Sequence, residues 1–205
     1  MKKLAVLALA VAASGCFLTI SADSTPIDSS AINTANNSGS ATQNITSNPA
    51  WAAALPGSNW VSFANTGNPS TPGFTTLPNG TNAIFSQTFN LSGTITAATL
   101  SVLADDTTSV VVNGVTVYAA ALGGSYPTCS SVQIGCLSTT EGTFNIAAYL
   151  VDGSNTISFD VFQENGSSYG LDYAGTVTTT PEPGLVMMLS SGLVGLGFMK
   201  RRKLS

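Results

Sequence analysis

The sequence predicts an all-β fold, an antiparallel β-sandwich running from about residue 49 to residue 177. Three observations lead there. Apolar residues alternate with polar ones in runs of strand length, an Asn-Gly pair sits between two β-branched runs, and no segment of comparable length carries a helical period. Alternation puts one face of each strand in a core and the other outside it, and facing such strands in pairs of sheets is the economical way to bury them.

The elements follow in chain order. "AATLSVLAD" sets Ala98, Leu100, Val102 and Ala104 on one face and Thr99 and Ser101 on the other, which is a half-buried strand. "SVVVNGVTVY" places Asn113-Gly114 between two β-branched runs, a hairpin signal because both turn positions need positive φ. "NTISFDVFQENG" buries Ile157, Phe159 and Val161, and Asn165-Gly166 then supplies another turn. Asn155 is expected to organise its own turn. "TVTTT", Thr176 to Thr180, reads as an exit strand that runs into a tether. Residues 23–48 are rich in Ser, Thr, Asn and Ala with little large apolar content, and so read as a flexible leader outside the domain.

Charge excludes more than it suggests. All six Lys and Arg lie at the ends, at Lys2, Lys3, Lys200, Arg201, Arg202 and Lys203, and the chain has no His. Residues 23–180 carry nine carboxylates and no cation. Nucleic-acid binding needs Lys or Arg against phosphates, so it is excluded. Phosphate-handling chemistry fails for want of the same cations, and a Ser-His-Asp site or a His-ligated zinc fails for want of His. Acid-base work would fall to carboxylates alone.

Both ends carry processing signals. "MKKLAVLALAVAASGCFLTISADS" has two basic residues followed by an apolar stretch from Leu4 to about Ala13, the pattern of a secretory signal peptide over residues 1–22 that engages the Sec export machinery. Cleavage after Ala22 discards Cys16; the competing site, a lipoprotein-like box ending at Cys16, has Ala13 in place of the usual Leu. At the other end, residues 178–205 join Pro181-Glu182-Pro183, an apolar run from Leu185 to Met199 and four consecutive basic residues. As a helix those 15 residues rise about 22 Å, short of a hydrocarbon core of about 30 Å. The basic cluster after it holds the tail cytoplasmic and leaves the body outside.

With Cys16 discarded, Cys129 and Cys136 remain, enclosing "CSSVQIGC". In an oxidising compartment so close a pair is expected to form a disulfide, since a metal site would want further thiolate or imidazole ligands. Asp105-Asp106 at a strand end has two readings, calcium ligands or an Asx-type turn into the next strand. Trp51, Trp60, Tyr118, Tyr126, Tyr169 and Tyr173 could stack on sugars, but in a β-sandwich such rings are more often core.

Two resemblances add to this. The order of PEP motif, short apolar helix and basic end resembles the PEP-CTERM sorting signal of Gram-negative bacteria, which is also catalogued under an ice-binding C-terminal label. It implies that Pro181, Glu182 and Pro183 are read by a membrane exosortase, that the apolar helix is a transient inner-membrane anchor, and that the body reaches the cell surface or exterior, often beside extracellular polysaccharide. The second resemblance rests on "FNLSGTITAATLSVLADDTTSVVVNG", "FNIAAYLVDGSNTISFDV" and "YGLDYAG", which look like galactose-binding-like jelly-roll domains; Trp51 and Trp60 fit the opening strands of such domains. It implies a jelly-roll sandwich and, less directly, a sugar ligand. The expected function is therefore a non-enzymatic exported surface or matrix protein associated with envelope or extracellular polysaccharide. The alternative is a carbohydrate-binding module with a specific glycan ligand. A glycosidase would need two carboxylates flanking a cleft at about 5 to 9.5 Å.

Overall fold

The computed structural model describes residues 21–37, 40–120 and 128–181. Residues 1–20 of the expected signal peptide, and Glu182, Pro183, Leu185–Met199 and the basic tail, lie outside the described residues, as does Tyr126. Among the described residues no helix is long and apolar enough to cross a membrane.

The described chain forms eleven strands: β1 (Asp23–Asp28), β2 (Ala35–Asn36), β3 (Gln43–Asn44), β4 (Val61–Ser62), β5 (Asn82–Leu91), β6 (Thr94–Asp105), β7 (Thr107–Val112), β8 (Val115–Tyr118), β9 (Gly142–Asn145), β10 (Gly153–Phe162) and β11 (Gly170–Thr180). They make two antiparallel sheets. One runs β3-β4-β11-β6-β9 with β1 also paired to β11, and the other runs β2-β5-β10-β7-β8. Apart from the β7–β8 hairpin, successive strands from β5 to β11 fall in alternate sheets, which is a jelly-roll β-sandwich.

The alternation read from sequence is the core. Ala98, Leu100, Val102 and Ala104 of β6 and Ile157, Phe159 and Val161 of β10 are buried together with Phe85 and Phe89 of β5 and Leu171 and Val177 of β11. Phe159 from one sheet stacks on Tyr173 from the other at 4.4 Å between centroids. The two buried tyrosines keep partners for their hydroxyls: Tyr169 donates to the Val161 carbonyl at 3.0 Å, and Tyr173 shares a hydrogen bond with Thr34 at 2.8 Å. Asn113 and Gly114 adopt φ of 50° and 81° and close the β7–β8 hairpin with Val112 opposite Val115. Asn155 is buried, and its amide binds the Val151 and Gly153 carbonyls while its oxygen accepts from the Val151 N–H and from Asn113. It does organise its own turn, and it ties that turn to the neighbouring hairpin.

The leader expected over 23–48 is corrected. Asp23–Asp28 pairs residue for residue with Thr179–Ala174 of β11, and β2 and β3 join opposite sheets. An edge strand needs few large apolar residues, and β1 supplies one core side chain, Ile27, with Ser29 and Thr34 buried just after it. Pro26 is tolerated because an edge strand leaves one backbone flank unpaired.

Candidate functional site

Two places gather polar side chains in a built arrangement. The first lies on the outer face of the six-stranded sheet. Leu103 of β6 points away from the main core and packs with Trp51, Trp60 and Cys136 into a second, smaller cluster. The tryptophan rings meet at 4.3 Å, and Cys129 and Cys136 are disulfide-bonded with Cα atoms 4.9 Å apart. Gly170 leaves room for this layer, since a Cβ there would meet the Trp51 ring at 3.0 Å. Trp51 and Trp60 are therefore core residues here, not a sugar platform, and Tyr169 and Tyr173 are core residues too. Tyr118 is half-buried against Phe144 at 5.7 Å.

Asp105 and Asp106 lie under this layer, 7% and 6% exposed. The Trp51 indole N–H donates to Asp105 Oδ2 at 2.8 Å. Asp106 Oδ1 accepts from the Cys129 N–H at 3.2 Å and Oδ2 from the Glu164 N–H at 2.7 Å. The expected local Asx-type turn is thus replaced by bonds to distant loops, because the strand end is buried and its acceptors must find whatever donors the covering loops bring. Burial, then the charge of Asp106 and a hydrogen bond given to it, pushes Asp105 up to about 9. Asp106 is also raised, by burial, against the hydrogen bonds it accepts from Asp105 and from the Glu164 and Cys129 backbone. Burial and the neighbouring charge thus favour the protonated form of Asp105.

Such a pair does not fit calcium. The three grouped ligand atoms of Asp105, Asp106 and Cys129 lie within 4.8 Å of one another, but the sulfur is tied up in the disulfide. A hard cation wants six to eight oxygens, and three of the four carboxyl oxygens here already accept an N–H. These residues act as pins. Asp172, one of the nine carboxylates between residues 23 and 180, is a third pin: it is fully buried and accepts from Ser29 Oγ at 2.8 Å, Ser58 Oγ at 2.5 Å and the Leu55 N–H at 2.7 Å. Burial raises its pKa and those hydrogen bonds oppose the rise.

The second place is open. Across the outer face of the five-stranded sheet run two adjoining hollows of about 520 and 230 Å³ that share Asn37 and Ile84. Register builds this groove. Asp160 of the central strand β10 stands opposite Ile84 of β5 on one side and Ser109 of β7 on the other. One step along β10 on the same face, Ser158 stands opposite Val111, which stands opposite Thr116 of β8. Five strands at about 4.8 Å spacing make the face roughly 19 Å wide. Its floor is part apolar, with Ile84 42% exposed, and its polar groups are hydroxyls, amides and one carboxylate. Asp160 accepts a hydrogen bond from Asn82 Nδ2 at 3.3 Å, and burial raises its pKa while that bond lowers it. No sequence signal marked these residues, which read as the outward half of an alternating strand.

No family model and no curated protein matches the chain. Among solved structures it is similar to Streptomyces avermitilis α-L-rhamnosidase complexed with L-rhamnose, at 23% identity over 65% of this chain and TM-score 0.47. The chain spans only 12% of that protein's length. It is also similar to a family 35 carbohydrate binding module from Clostridium thermocellum, at 17% identity over 74% of this chain and 97% of that one, with TM-score 0.41.

Proposed function

We propose that this is an exported, non-enzymatic surface or extracellular-matrix protein that holds polysaccharide in the groove of its five-stranded sheet. The observation that carries the reading is the groove itself: an open trough with a partly apolar floor and short neutral hydrogen-bonding groups, which suits the two-sided chemistry of a pyranose. The carboxylates support a binding role over catalysis. Asp105, Asp106 and Asp172 are buried with most of their oxygens engaged, and among the described residues Asp160 is the one carboxylate lining the hollows, whereas glycoside hydrolysis uses two across a cleft. The Cys129–Cys136 disulfide agrees with an oxidising compartment. Delivery follows from the terminal signals: Sec export directed by residues 1–22, transient anchoring in the inner membrane, and exosortase processing at Pro181-Glu182-Pro183. A glycan array probed with the protein recovered from its exporting host tests the reading. Specific retention of at least one polysaccharide class is expected, with loss on Ile84→Lys; silence across the array would remove the groove from the account.

A further inference from the structure

We propose that the groove, on the polysaccharide reading above, selects a glycan carrying free amino groups, an unacetylated hexosamine polymer, with Asp160 as the carboxylate that pairs with its ammonium. Asp160 stands half-buried in the middle strand of the face, flanked by neutral groups: Ile84, Ser109 and Asn82. No Lys, Arg or His exists anywhere between residues 23 and 180 to neutralise it. A partly buried carboxylate without a cationic partner is costly to hold, and a ligand that brings the cation removes that cost.

The rest of the groove narrows the ligand to a sugar. Ile84 and Val111 offer apolar surface to the C–H face of a pyranose, and Asn37, Ser158 and Thr116 stand beside them as donors and acceptors for hydroxyls. A free metal ion or a simple amine would use Asp160 and leave these contacts unmade. Charge sets the sign. The body carries nine carboxylates and no cation, so its field draws cationic polymers and repels uronate- or sulfate-bearing ones. A hydroxyl could also donate to Asp160, but a hydrogen bond from an ammonium is charge-assisted and the stronger of the two.

The test compares a glucosamine tetramer with its fully N-acetylated counterpart by titration calorimetry, using the whole protein from its exporting host at about pH 6 and physiological ionic strength, where diffuse attraction is screened. The expected result is at least about tenfold tighter binding of the unacetylated tetramer, equivalent to ~1.4 kcal/mol. Asp160→Asn should erase that preference while keeping binding of the acetylated tetramer. Asp23→Asn, which removes the same charge from an exposed position, should leave the preference intact. Equal affinity for the two tetramers overturns the amine selection and leaves the polysaccharide reading standing; failure to bind either one also overturns the amine selection, and removes the polysaccharide reading with it where the glycan array is silent as well. An equal loss in the two Asn variants means attraction to the body's overall charge, and overturns a role for Asp160. Self-association of the protein that Ile84→Lys abolishes would make this face an interface between copies, and overturns the proposal as well.

Discussion

Replacing Asp105 with Asn should leave the protein about as stable below about pH 4 and make it clearly more stable at pH 7. Asp105 in the folded chain is pushed up to about 9 by burial, by the charge of Asp106 and by the hydrogen bond it gives Asp106, with the Trp51 indole acting against the rise. In the unfolded chain an Asp titrates near ~3.9. Between those two values the folded protein holds a proton that the unfolded protein has released, so unfolding sheds a proton and stability falls as pH rises. The contribution is fully present below the unfolded value and is lost as pH climbs towards the folded one, at up to ~1.4 kcal/mol per pH unit, or on the order of 3 kcal/mol at most from pH 5 to pH 7. Asn has the shape of the protonated acid: its carbonyl can accept from Trp51 Nε1, its amide can donate to Asp106, and it does not titrate. The gap between variant and parent should therefore widen by up to about 3 kcal/mol from pH 5 to pH 7. Urea unfolding followed by tryptophan fluorescence measures it, since Trp51 and Trp60 are the chain's two tryptophans and one of them touches Asp105. Burial likewise raises Asp106, Asp160 and Asp172, so the parent's slope carries contributions of the same sign, but the difference between the two proteins isolates the Asp105 pair. A parent that gains stability from pH 5 to pH 7, or a variant weaker by one constant amount at every pH, would refute the reasoning.

Joint replacement of Cys129 and Cys136 by Ser should cost about 2.5 kcal/mol, the chain-entropy value for so short a loop, measured by urea unfolding; no change would mean the bridge constrains nothing. Gly170→Ala drives a Cβ against the Trp51 ring and Ile45, and should cost about 1–3 kcal/mol with a red-shifted tryptophan emission, whereas an unshifted spectrum would place Trp51 elsewhere. Melting temperature should rise with sodium chloride, because nine carboxylates have no internal cation, while calcium at matched ionic strength should add nothing further. A calcium-specific gain that disappears in Asp105→Asn with Asp106→Asn would restore the metal reading. Intact-mass analysis of the exported protein should show a form lacking Leu185–Ser205, and recovery of full tails alone would count against exosortase processing.

What sequence could and could not show divides along the two faces of each strand. The inward face follows a period of two, so Leu100, Val102, Phe159 and Val161 were legible at once, and the Asn113-Gly114 hairpin came from turn chemistry that few other pairs satisfy. The outward face is decided by what covers it, and that depends on register between segments far apart in the chain. Asp172 between Leu171 and Tyr173 has the pattern of an exposed residue, yet loops carrying Ser29, Leu55 and Ser58 close over it. One local sign existed: Val102, Leu103 and Ala104 are apolar in succession, and a strand with both faces apolar has something packed on both. Asp160 lacked even that sign, because its neighbours Ile84 and Ser109 become neighbours only through the β5–β10–β7 register.

That difference between the two outer faces also limits where a ligand can sit. On the six-stranded sheet, Leu103 and Asp105 are sealed beneath the tryptophan pair and the disulfide loop and Asp172 beneath the loops carrying Ser29, Leu55 and Ser58, and every polar atom named there is spent on holding a loop in place. On the five-stranded sheet, Ile84 and Asp160 have no such cover among the described residues. A carboxylate beneath the first layer can only pin or titrate, whereas one in the open groove can meet a partner from outside. Substitutions at Asp105, Asp106 or Asp172 should accordingly move stability with little effect on glycan affinity per folded molecule, and substitutions at Asp160 should do the reverse. A glycan affinity that tracked the buried pair and ignored Asp160 would place the binding surface on the other sheet.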